Sequence, residues 1–529
     1  MIDSSDRKKT RDLTRSFIVQ AAAGSGKTTL LINRFILALA SSDRPEKVLA
    51  ITFTKKAAEE MRERVMSFLN SCEGELEHEL ALALKIIKDK SKSKKWNLHN
   101  DPSRLSIMTM DAFCVWLKAR VPSGRAGAHT YSIEEFPEDL YKKSARRAIS
   151  QFVLQEGKKN QNKLLTNLDN DWIRLEKFII GMLAHRQHYL MDVGLDLNKD
   201  IINKSYRNYA EQKISDVRTS FSSEFLDQLI SLYNYSAFNL NEEKIPSSFT
   251  LNFKNIELWQ KILKRIVFNQ DLSLKKRITK SSGFPSAGLD KNEVLRMKSD
   301  WKDFVDSLNK NRVLRDGLSE LANLHPTGLS EFEGHLLKET SMIFKYATAY
   351  LNLTFIEHRK IDFCQLLLDG LNLLDEKLNN EYFYDNLGFW FTHILVDEVQ
   401  DTSAAQLALI SKIIGYWDGD KRNSLFMVGD FMQSIYRFRK ALPEHFSEML
   451  ETGEFANIHL DLIILKSNFR SQSELVKWVN DIMPKIIEAN GCDNLNFKPQ
   501  IAVKKSEERP VAFFNTKKYG DEHEAKIVL

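Results

Sequence analysis

Short apolar runs ended by polar turns occupy the two ends of this chain, and long helical periodicities fill its middle. Ser16–Gln20, Val48–Phe53, Ser106–Thr109, His393–Val396, Leu425–Val428 and Leu460–Leu465 read as strands. Runs apolar throughout, rather than alternating, suit parallel strands buried on both faces. Two of them lead into amphipathic helices. Leu31, Phe35, Ile36 and Leu39 stripe the first; Ala58, Met61, Val65 and Leu69 stripe the second, with Glu60 and Arg64 paired on its opposite face. From about Leu140 to Leu351 the texture changes to stretches such as LYKKSARRAISQFVL, with few alternating strand patterns among them. This is a helical block bounded by α/β segments. A further strand is predicted at Val511–Phe514 and a helix from Glu522 to Leu529.

Composition changes this picture little. At 529 residues the chain exceeds what one core supports. Its 43% hydrophobic and 28% charged residues are ordinary for a soluble globular protein. The net charge of +5 permits nucleic-acid binding without arguing for it. Cys72, Cys114, Cys364 and Cys492 stand apart, which gives no disulfide or zinc framework and fits a reducing cytoplasm. The polar N-terminus lacks a signal-peptide core, and no uncharged apolar stretch approaches membrane-spanning length.

The chemistry gathers at strand ends. After the first strand comes AAAGSGKTTLL: Gly26, Lys27 and Thr28 complete a P-loop pattern in which Ala21 takes the first glycine position. Ala22, Ala23, Gly24, Ser25 and Thr29 complete the loop and helix start, small enough for backbone N–H groups to surround phosphate. Lys27 would reach the β- and γ-phosphates of ATP, and Thr28 would ligate Mg2+. His393–Val396 ends in Asp397 and Glu398. One such carboxylate can hold Mg2+ while its neighbour activates a water; alone, the pair is better explained by a strand end and an acidic cap. Basic clusters at Lys85–Lys95 and Lys261–Lys280 suit phosphate or an ordinary solvated surface. GFPSAGLD, from Gly283, reads as a flexible loop.

Taken in order, AAAGSGKT, ITFTKKAAEEMRERV, MTMDAFC, DEVQDTS, GDFMQSIYRFRKA and NFRS resemble motifs I, Ia, Ib, II, III and IV of the UvrD/Rep family of superfamily 1A DNA helicases, on its RecB/AddA-like side. The resemblance implies an α/β fold: a P-loop NTPase (RecA-like) parallel sheet, a large helical insertion, and the start of a second RecA-like domain. On that basis 1–120 and 356–459 would form domain 1A, 121–355 a helical 1B-like insertion, and 460–529 the beginning of domain 2A. It further implies Asp397 for Mg2+, Glu398 as the base for the attacking water, and Gln433 as the γ-phosphate sensor. Phe469 would stack on adenine and Arg470 would reach the γ-phosphate. Phe53, Thr54 and Thr109 would meet single-stranded DNA, and Tyr436, Phe438 and Arg439 would stack on its bases. The family's adenine-reading glutamine upstream of the P-loop has no counterpart in RKKTRDLTRSF.

The implied function is ATP-dependent, 3′-to-5′ DNA unwinding in repair or recombination. Its substrates would be single strands and duplex junctions. Its partner would be a second helicase/nuclease subunit, with no membrane involved. Two other readings compete. One is a truncated nucleotide- and DNA-binding module without unwinding; the other is a P-loop phosphotransferase, which has no use for QSIYRFR. Motifs V and VI and a nuclease domain are not visible, so the chain is expected to be a fragment or a truncated product.

Overall fold

The computed structural model describes residues 2–72, 74, 76–120, 131–156, 168–169, 171–192, 199–220, 222–246, 249–285, 291–325, 331–375, 390–417, 422–435, 443–489 and 497–505. Two compact units divide the chain: residues 1–137, 355–484 and 495–529 in the first, 138–354 with 485–494 in the second.

The first unit is built on six parallel strands: β1 (Phe17–Ala21), β2 (Val48–Thr52), β3 (Ser106–Thr109), β4 (His393–Val396), β5 (Ser424–Gly429) and β6 (Asp461–Leu465). Their order across the sheet is β6-β1-β5-β4-β2-β3. Every residue of β2, β4 and β5 is buried, as expected of strands covered on both faces. Leu31, Phe35 and Leu39, from the helix Lys27–Ser41, join Phe17, Val19, Phe426 and Val428 in one core. Because all six strands run the same way, the loops after β1, β2, β3, β4 and β5 leave one edge of the sheet, the edge where such folds bind ligands.

The strand expected at Leu460–Leu465 has its place in this sheet: Asp461–Leu465 pairs in parallel with Phe17–Ala21 as the edge strand. The short apolar run finds its hydrogen-bond partners there, burying Ile463 and Leu465 in the same core. Beyond it lies a two-stranded pair, β7 (Ser467–Gln472) with β8 (Ile501–Lys504). The strand predicted at Val511–Phe514 and the helix predicted from Glu522 lie outside the described residues.

The second unit is helical. Its core joins Trp259, Ile262, Leu263 and Ile266 of helix Ile256–Ile266 to Trp301, Phe304 and Leu308 of Lys291–Lys310, and to Leu318 and Leu321 of Arg312–Ala322. Trp301 Nε1 donates to the Ile266 carbonyl at 2.8 Å, pairing the one polar atom of a buried ring. The basic clusters are partly spent on structure. Lys261 and Arg265 both bind Glu242, whose carboxyl is held down at about 2 by Arg265 first and Lys261 second. Lys90, in the first unit, donates to the Ala40 and Ser42 carbonyls and closes the end of helix Lys27–Ser41. Gly283, read as the start of a flexible loop, is packed: a Cβ there would stand 2.6 Å from the Ser236 carbonyl, and Phe284 is fully buried.

Candidate nucleotide-binding site

The P-loop leaves β1 and enters helix Lys27–Ser41. Ala21 tolerates the first glycine position because it is still in the strand, paired with Leu465 in extended backbone. Gly24 and Gly26 are where glycine is needed, with φ of +77° and +81°. Gly26 caps the helix without a side-chain acceptor, which leaves first-turn N–H groups for an anion. The Ser25 hydroxyl is buried with no hydrogen-bond partner among the described residues. Glycine-shaped backbone, an uncapped helix start and an orphaned hydroxyl fit a triphosphate.

Asp397 and Glu398 leave β4 beside this loop. Lys27 Nζ contacts Glu398 Oε2 at 3.0 Å and Oε1 at 3.2 Å. Glu398 holds φ 51° and ψ 49°, a left-handed conformation that costs a non-glycine residue energy and is concentrated at functional sites. Its own N–H donates to Asp397 Oδ1 at 3.0 Å. Asp397 is half-buried; burial, and then the Glu398 charge, push its carboxyl up to about 7. A cation placed against it would restore the ionised form. Among the described residues no group of three His, Cys, Asp or Glu could hold a metal. Asp397 with the Thr28 hydroxyl fits Mg2+, which takes one or two carboxylates together with substrate phosphate oxygens.

Gln400 ties this pair to β5. Its Nε2 donates to Glu398 Oε2 at 2.8 Å, and its Oε1 accepts from the Asp430 N–H at 2.8 Å. Gln433 Nε2 donates to Asp430 Oδ2 at 2.5 Å, and burial raises the Asp430 carboxyl above its ordinary range. Gly429 is required for this contact, since a Cβ would stand 2.6 Å from Gln400 Oε1 and 3.0 Å from the Phe446 ring.

β7 is fastened to the P-loop. The Phe469 N–H donates to the Gly24 carbonyl at 2.7 Å, and Asn468 Nδ2 to the Ala23 carbonyl at 3.2 Å. Asn468 Oδ1 accepts from the N–H groups of Arg470 and Ser471, both at 2.9 Å. A Cβ on Gly24 would stand 2.8 Å from the Arg470 Cβ. Sequence reasoning missed two further residues. Asp3 Oδ2 accepts from the N–H groups of Lys466 and Ser467 at 3.1 and 2.7 Å. Arg7 reaches the Ser25 carbonyl and lies over the Phe469 ring, 5.2 Å from its centroid. Their only sequence signal is an i,i+4 charge pair on a short polar helix, Ser4–Lys9.

Along the same sheet edge, Phe53 and Thr54 follow β2 and Thr109 ends β3, where Thr52 and Thr109 pair. Thr54 and Thr109 each accept from a helix N–H, of Ala57 and Ala112. Thr54 is exposed and Thr109 buried. Tyr436, Phe438 and Arg439 lie outside the described residues.

A parallel sheet with a P-loop after one strand and an adjacent carboxylate pair after another defines a RecA-like P-loop NTPase core. Residues 2–453 match the UvrD/REP helicase N-terminal domain, and the chain belongs to that family. It is 25% identical over 515 residues to an ATP-dependent helicase/nuclease subunit of Clostridium beijerinckii, covering 89% of this chain and 38% of that protein. The ATP-dependent helicase/nuclease subunit of Lactobacillus helveticus is 26% identical over 532 residues (91% and 40%). The exonuclease/helicase subunit RexA of Lactococcus lactis subsp. cremoris is 25% identical over 510 residues (90% and 39%). These relatives stand on the RecB/AddA-like side of the resemblance; the chain spans about two fifths of their length. No helix among the described residues is long and apolar enough to cross a membrane.

Proposed function

We propose that this chain is the nucleotide-hydrolysing, DNA-engaging part of an ATP-dependent DNA helicase of repair or recombination, moving 3′ to 5′ along a single strand. The observation that supports this most is the Lys27–Glu398 contact within the network that continues through Gln400, Asp430 and Gln433. Lys27 exchanges Glu398 for the β- and γ-phosphates when ATP binds, and the freed carboxylate accepts a proton from the attacking water. Thr28 and Asp397 would hold Mg2+, which supplies positive charge to the phosphate oxygens. Gln433 sits where γ-phosphate loss would be felt by Asp430 and, through Gln400, by Glu398. Phe469 stacks on the base and Arg470 offsets charge on the γ-phosphate. Phe53, Thr54 and Thr109 track the single strand beside β2 and β3, and Tyr436, Phe438 and Arg439 stack on its bases. The relatives are themselves named as subunits, which supports a partner protein for this chain. The cysteine usage supports a cytoplasmic location.

The test is Glu398→Gln. Hydrolysis should fall by roughly a hundredfold or more, the scale of a lost general base, while nucleotide still binds. Undiminished hydrolysis would remove Glu398 from this role.

A further inference from the structure

The helical unit holds a cavity of about 640 Å3, a size typical of small-molecule sites. Helices Lys291–Lys310 and Arg312–Ala322 line it on two sides. A tight turn after helix Ile256–Ile266 lines the rest, closed by the Phe268↔Leu274 bridge and by the Lys275 N–H donating to the Val267 carbonyl at 2.8 Å. Within that turn the Ser273 N–H and hydroxyl both donate to Asp271 Oδ1, at 3.0 and 2.6 Å, so its own atoms hold it in shape. Phe268, Trp301 and Val305, all buried, give the cavity apolar surface. Trp301 Nε1 is already bonded to the Ile266 carbonyl, so its ring adds no free polar atom.

The charged lining is unbalanced: Lys275, Lys276, Lys302 and Arg315 stand against Asp306 and Asp316 alone. Arg315 and Asp316 pair with each other at 3.0 Å. The three lysines have no ion-pair partner among the described residues. Lys275 is half-buried, and burial alone lowers its pKa. An ammonium drawn partly out of water without a counter-charge is costly, and an anion brought to it offsets that cost.

We propose that this cavity binds a small organic monoanion, its apolar body against Phe268, Trp301 and Val305 and its carboxylate among Lys275, Lys276 and Lys302. The three ammonium groups can offer that carboxylate charge-assisted hydrogen bonds. A polyanion such as a nucleoside triphosphate suits the cavity less, because Asp306 and Asp316 share the lining and repel the additional charge. The P-loop belongs to the other unit, so the inference stands independently of the helicase reading.

The test is calorimetric titration of the 529-residue chain with two carboxylates, decanoate and 2-naphthoate, and with the neutral amide of each. At least one carboxylate should bind with one-to-one stoichiometry, and its amide roughly tenfold more weakly, the scale of one charge-assisted hydrogen bond. Lys275→Met should weaken the carboxylate by a similar factor and leave the amide unchanged. The double variant Lys276→Met/Lys302→Met, confined to exposed positions, should act in the same direction and decides the charge requirement even if Lys275→Met fails to fold. Ser319→Trp, which fills the cavity from helix Arg312–Ala322, should abolish binding of acid and amide alike while the melting temperature reports an intact fold. Failure of both carboxylates to bind, equal affinity for acid and amide, or binding that survives Ser319→Trp overturns the proposal.

Discussion

His393 opens β4 four residues before Asp397, and its ring is wedged between two hydroxyls: Ser424 Oγ at 2.9 Å from Nδ1 and Ser41 Oγ at 3.2 Å from Nε2. Burial, and then the nearby Arg34 charge, lower its pKa to about 4. The folded protein therefore keeps this ring neutral in a range where the unfolded chain, titrating near 6.5, is already protonated. The unfolded state binds the extra proton, so stability falls as pH drops from 6.5 to 4. The loss amounts to about 3 kcal/mol. Melting temperatures measured against pH should drop more steeply for the wild type than for His393→Gln across that window; parallel curves would contradict the assignment. Single residues were unevenly legible. Lys27, Thr28, Asp397 and Glu398 stand in local patterns whose chemistry needs those side chains at those spacings. Asp3 and Arg7 do not: their partners Lys466, Ser467 and Phe469 lie more than four hundred positions away, and only the fold makes them neighbours.

At the scale of elements, the six strands were readable because each is apolar throughout and closed by polar residues. The placement of β6 was not, since an apolar run states that it will be buried but not in which sheet. The segment before β1 has its own anchor, also invisible in sequence. Arg34, on helix Lys27–Ser41, is buried; its guanidinium donates to the carbonyls of Thr10, Asp12 and Arg15 and lies over the rings of Phe17 and Phe426. Burial lowers it to about 9, which leaves it charged at neutral pH. Arg34→Met would leave three carbonyls without their donor. It should destabilise the chain by about 2–4 kcal/mol, and denaturant unfolding monitored by circular dichroism measures this. The same change should loosen Ser4–Lys9 and with it Arg7. An unfolding midpoint equal to wild type would mean that the segment is held by other contacts.

For the whole molecule, the sheet edge joins two kinds of residue. The phosphate-side groups follow β1, β4 and β5, and the strand-tracking candidates follow β2 and β3, immediately beside β4 in the sheet. A single strand lying over β2 and β3 would therefore touch the element adjoining the one that carries Glu398. That adjacency would give a physical route from DNA to hydrolysis, because β2 and β4 share hydrogen bonds from Val48↔His393 to Ile51↔Val396. The long central segment of the sequence was legible as helical from its periodicity. The polar roles of Glu242 and Lys90 within the chain were not, as charge runs look alike whether they face solvent, phosphate or a neighbouring carboxylate. The central claim is that this site hydrolyses ATP in response to a single strand. Its most direct test is the steady-state ATP hydrolysis rate of the chain with and without single-stranded DNA. We expect the rate to rise severalfold with single-stranded DNA, to rise less with blunt duplex, and to vanish in Lys27→Ala; a rate indifferent to DNA would contradict the account.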